Sequence, residues 1–204
     1  MIQKTTKTIL IEYLKNNHAE NFVYHITSDY YKQSIIENGL TRNLKVTQEQ
    51  IDSLETILQN ENFQHLNITL NNGYLGNQTI IERIKESYSN VTADEYTVSA
   101  SFDCLKIFDY LKEETKGGQY LKHIKPLVAE IEKITHLDNN LLVNIDSNLK
   151  SLMNFVDAIN RSGFLLCKID KTGIEDTGDE IRFQTTQNIG SECIYEIIEI
   201  NKLI

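Results

Sequence analysis

The chain has 204 residues, 40% of them hydrophobic, and no low-complexity tract, so it can bury a sizeable core as one domain or as one domain with a helical addition. A formal net charge of −9 argues against a protein that holds nucleic acid mainly by neutralising phosphates, which needs clustered Lys and Arg, although a local basic patch stays open. Cys104, Cys167 and Cys193 form no C-x-x-C pair and indicate neither a zinc site nor a disulfide framework.

A reducing cytoplasm is the expected compartment. The N-terminus lacks a secretory h-region and no run reaches the roughly 18 apolar residues of a membrane span, so delivery to a target cell would proceed without a cleaved signal peptide.

Ile9, Leu10, Tyr13 and Leu14 predict a first amphipathic helix over 5–17. Phe22-Val23-Tyr24-His25-Ile26-Thr27 reads as a strand. Ser28 or Asp29 then offers an N-cap to a helix carrying Tyr31 and Ile35, ended by Gly39. Thr47-Gln48-Glu49-Gln50 matches a capping box that opens a helix with Ile51, Leu54 and Leu58 on one face. A short helix is expected around Ile80, Ile81 and Ile84, after an Asn71-Asn72-Gly73 turn. The segment 45–94 exceeds an ordinary connection and is expected to be a helical insertion or lid within a single domain spanning 1–204.

Tyr96 to Ser101 is β-prone, and Phe102-Asp103 leads toward a helix with Cys104, Phe108 and Leu111. Leu121, Ile124, Leu127, Val128 and Ile131 make a helical stripe in which Pro126 marks a first turn or a kink. A strand over 141–145 is followed by a helix capped by Asp146 or Ser147, with Leu149, Leu152, Val156 and Ile159 inward, and stopped by Gly163. Phe164 to Ile169 reads as a central strand. Ile181 to Gln184 is a further strand, and Glu192 opens a long β-rich run to Ile200 after a polar loop with Gly190.

Three of these stretches together resemble the ADP-ribosyltransferase superfamily: Tyr24-His25-Ile26-Thr27 through Gly39-Leu40, Ser99-Ala100-Ser101, and Glu192 at the head of its run. The resemblance implies an α+β fold, a split pair of small β-sheets around an NAD cleft with flanking helices. It implies NAD as substrate, no metal, and a macromolecular acceptor that is protein or nucleic acid, as in a bacterial toxin or effector, with an inhibitory partner protein. By the same resemblance His25 contacts the adenosine-side ribose, and the Tyr24 to Ile26 backbone positions nicotinamide. Thr27 and Ser101 complete the binding motifs, Ser99 braces the nicotinamide ribose or the glutamate, and Glu192 binds the ribose 2′-hydroxyl and stabilises the cation. His25 fits one branch of the superfamily and the serines the other. Gly190 stands where the arginine-modifying branch carries a second Glu or Gln, which disfavours that activity.

Each residue also has a plainer explanation. A single histidine among apolar neighbours is commonly structural, strand-end serines are ordinary, and a glutamate at a strand edge is usually solvated. Two alternatives stay open: an NAD-dependent RNA 2′-phosphotransferase of the same fold, and an inactive domain of this shape that binds a protein partner.

Overall fold

A computed structural model of the chain describes residues 12, 21–41, 46–60, 63, 68–70, 73–75, 77–92, 98–101, 121–137, 145–178 and 182–200. The fold is α+β. It divides into two compact units, one formed by 1–43, 94–117 and 161–204, the other by 44–93 and 118–160. The expected helical insertion thus corresponds to only part of the second unit, which takes in a second stretch of chain. The expected helix over 5–17, the helix after Phe102 and the strand over 141–145 lie outside the described residues, apart from Glu12 and Ile145.

The first unit is organised on one antiparallel sheet. β1 (Phe22–Ser28) lies between β4 (Val98–Ser101) and β5 (Phe164–Asp170), with β6 (Arg182–Thr185) beyond β4 and β7 (Ile194–Glu199) beyond β5. Alternation along a strand assigns successive residues to opposite faces, and directly paired residues share a face. Val23, Ala100, Leu165, Cys167, Ile169 and Phe183 are therefore one face, and with Ile35, Leu40 and Ile189 they form a buried cluster. Ile35 belongs to α1 (Lys32–Asn38), which follows a short 3-10 turn at Asp29–Tyr31. Ser28 caps that turn by accepting from the Tyr30 N–H at 3.1 Å, and shares a 2.6 Å hydrogen bond with the Ser162 hydroxyl. β5 is buried on both faces, as an uninterrupted Phe-Leu-Leu-Cys run in a central strand requires.

Gly39 ends α1 at φ +74°, ψ −161°, a region essentially restricted to glycine. A Cβ there would sit 2.0 Å from the Ile189 carbonyl oxygen. Leu40 and Ile189 exchange backbone hydrogen bonds of 2.8 and 3.0 Å, so the chain after α1 is fastened to the segment that leads to Glu192.

The second unit is built from amphipathic helices. In α2 (Gln48–Leu58) the capping box is complete: Thr47 Oγ1 accepts from the Gln50 N–H, and Gln50 Oε1 accepts from the Thr47 N–H at 3.0 Å. Ile51, Leu54, Ile57 and Leu58 are buried. A hairpin of β2 (Ile68–Leu70) and β3 (Gly73–Leu75) precedes α3 (Asn77–Thr92), which is much longer than its Ile80-Ile81-Ile84 signal suggests. α4 (Leu121–Leu137) keeps Pro126 inside it, which deprives the Lys122 carbonyl of its usual donor four residues on. α5 (Ser147–Arg161) buries Leu149, Leu152, Val156 and Ile159, with Asp146 as cap accepting from the Leu149 N–H at 2.8 Å. No helix among the described residues is long and apolar enough to cross a membrane.

Candidate functional site

His25 and the two serines occupy neighbouring strands but opposite faces. His25 pairs with Cys167 and is half-buried on the face that carries the apolar cluster. Tyr24 pairs with Ser101 on β4 and with Lys168 on β5, so Ser99 and Ser101 hold register positions on the Tyr24 face. Ile26 belongs to that face opposite Leu166, whereas Thr27, opposite Leu165, belongs with His25. No sequence periodicity could have shown this, because the face of β4 relative to β1 depends on which residues pair.

Glu192 does not begin a strand. Ser191–Cys193 is a 3-10 turn closed by the Cys193 N–H on the Gly190 carbonyl at 3.1 Å, and β7 starts only at Ile194, opposite Ile169. The Glu192 carboxylate is exposed and folds over Gly190, where a Cβ would meet Oε1 at 2.1 Å. β1 and β5 separate β4 from β7, so Ser99 and the strand that follows Glu192 are three interstrand steps apart, about 14 Å. The first motif and Glu192 do share an end of the sheet through the Leu40–Ile189 pair, whose side chains also belong to the buried cluster against which Cys193 packs.

Neither described cysteine, Cys167 or Cys193, supplies a nucleophile. Burial pushes the Cys167 thiol up to about 12. Burial raises Cys193 too, helped by the negative charges of Glu192 and Asp170, so the protonated thiols persist at neutral pH. Among the described residues no group of three or more His, Cys, Asp or Glu is arranged to hold a metal ion.

Two described lysines near the sheet are engaged. Lys32 forms an ion pair with Glu199, which lies on the His25 face opposite Leu165. The buried Lys168 places its ammonium 4.4 Å from the Phe22 ring centroid and 4.9 Å from that of Tyr195, a doubly aromatic setting.

β6, the strand paired with Ser99, carries a residue that the sequence reading passed over. Gln184 stands directly opposite Ser99. Its N–H donates to Asp176 Oδ1 at 3.1 Å, and its carbonyl accepts from the Thr177 N–H at 2.7 Å, which fixes the strand from the outer side. Burial and register identify it where the sequence does not: Phe183 and Thr185 are buried while Gln184, between them, is half-buried on the other face. No protein-family description matches the chain, and no curated protein or solved structure does so either.

Proposed function

We propose that this chain transfers ADP-ribose from NAD to a macromolecular acceptor, protein or nucleic acid, as a toxin or effector would. The observation that carries the proposal is the pairing of the first two motifs: β1 is the central strand, and Tyr24 stands opposite Ser101 on its neighbour β4. Cleavage of the nicotinamide–ribose bond develops positive charge on the ribose, so the catalyst needs a fixed carboxylate and ribose hydrogen bonds where that charge forms. In the proposed cleft the Tyr24 to Ile26 backbone positions nicotinamide, Ser99 and Ser101 meet it from the Tyr24 face, and a glutamate stabilises the cation, while the register sets His25 on the other face of the sheet.

Glu192 is the first candidate for that glutamate. Chain order offers a second, because the strand beside Ser99 is β6 and Glu180 lies two residues before its first residue, Arg182. Glu180 lies outside the described residues. The separation of His25, Ser99 and Glu192 over two faces and several strands also favours a second reading, a domain of this shape that binds a partner protein without turnover. Mass spectrometry after incubating the protein with NAD and a cell lysate distinguishes them. Modified macromolecules support the transferase, free ADP-ribose alone indicates a glycohydrolase, and an unchanged mixture supports the binding domain.

A further inference from the structure

We infer that Gln184 is a specificity residue for the carboxamide of nicotinamide, an assignment that rests on the NAD reading above. The register Ser99↔Gln184 is direct, and continuing the antiparallel pairing from Tyr24↔Ser101 sets Ile26 opposite Ser99. Ile26, Ser99 and Gln184 thus form one row across three adjacent strands on a single face. Both backbone groups that Gln184 turns away from β4 are bonded to Asp176 and Thr177, so β6 cannot shift outward without losing them. By contrast, the half-buried side-chain amide of Gln184 makes no hydrogen bond with the described residues. A rigidly held strand therefore presents, beside the serine position, a donor and an acceptor that no described residue engages.

A primary carboxamide is the chemical complement of such a group. The glutamine NH2 donates to its carbonyl while the glutamine oxygen accepts from its NH2, giving two hydrogen bonds with matched direction. A carboxylate in the same place offers no N–H to the glutamine oxygen, and a site built for a donor rejects the analogue that lacks it.

Calorimetric titration of the full chain with NAD and with its deamido analogue, nicotinic acid adenine dinucleotide, tests this. The wild type is expected to favour NAD by about tenfold or more, and Gln184→Ala to weaken NAD by about tenfold while leaving the analogue unchanged. Gln184→Met, which keeps length and apolar packing, should behave like Gln184→Ala and guards against a folding defect, checked by its melting curve. If either folded variant binds NAD with the wild-type preference, Gln184 does not read the carboxamide and the NAD reading stands. If the wild type binds neither dinucleotide, both fall.

Discussion

The sheet unit and the helical unit are stabilised in different ways. The helical unit closes its helix ends with near neighbours, Thr47 and Gln50 in a capping box and Asp146 on the Leu149 N–H, and ties separate helices together through Ser53 to Asp146 at 2.7 Å and Lys85 to Glu55 at 2.6 Å. In the sheet unit the decisive contacts join residues far apart in sequence, such as Leu40 with Ile189, and the polar residues His25, Ser99 and Gln184 are distributed over its faces. The sheet unit keeps a half-buried Gln184 amide that no described residue engages and an exposed Glu192 carboxylate over a glycine, groups left over for a ligand.

The largest expected effect is on the tie that closes the sheet unit. Gly39→Ala puts a methyl group against the Ile189 carbonyl and forces a non-glycine residue into a glycine-only conformation. It should cost about 3 kcal/mol or more, read as a lower denaturant midpoint with unchanged slope. Gly173→Ala, at φ +79° with open space around it, should cost only about 1 kcal/mol. Equal costs would mean that the close approach of Gly39 to Ile189 contributes nothing.

Next comes the carboxylate. A glutamine in place of the catalytic glutamate retains size but removes charge, so transfer should slow about 100-fold with little change in NAD affinity. Comparing Glu180→Gln with Glu192→Gln identifies which one acts. A loss confined to Glu192 would show that strand adjacency to Ser99 does not select the catalyst, and a loss in neither would leave the reaction without a carboxylate.

In the helical unit the effects are smaller. Asp146→Ala should lose about 1 kcal/mol, the usual value of an N-cap, and Asp146→Asn should recover most of it. The Leu149 N–H and the Ser53 hydroxyl hold the Asp146 carboxyl below its ordinary value of 3.8. Its contribution is therefore present above about pH 3.8 and disappears as pH falls through the lower folded value. An Asp146→Asn variant as weak as Asp146→Ala would show that charge, not the cap geometry, matters.

The smallest effect belongs to His123. Burial first, then the positive charges of Lys122 and Arg83, keeps its imidazole below the ordinary 6.5, and its Nδ1 has no hydrogen-bond partner among the described residues. The unfolded chain then takes up a proton that the folded chain refuses. Stability should fall as pH drops below about 6.5 and level off below the folded value. His123→Gln should flatten that slope in a pH series of melting temperatures, and an unchanged slope would assign the acid loss to other groups.

How far the sequence could be read follows the range of the contacts rather than the division into units. The Thr47 box, the Gly39 stop, the Asp146 cap and the apolar stripes of α2 and α5 were legible because each is decided within one or two helical turns. The β2–β3 hairpin was not, since three-residue strands carry too little alternation to register. Glu192 was misread as the first strand residue because Glu-Cys-Ile-Tyr continues the β-prone run, whereas the Gly190 carbonyl captures the Cys193 N–H and turns the chain. The strands of His25 and Ser99 were visible in sequence, but their faces depended on Tyr24 pairing with Ser101 and Ser99 with Gln184. Gln184 itself emerged only once β6 had a neighbour.

The most direct measurement is the melting temperature of the full chain against NAD concentration up to the millimolar range. A ligand that binds only the folded state raises the melting temperature by mass action, about 2.7 kcal/mol of stabilisation at 100 times its dissociation constant. A saturable rise with NAD is the predicted result. A melting temperature unmoved by millimolar NAD would contradict the proposal that this sheet holds the dinucleotide.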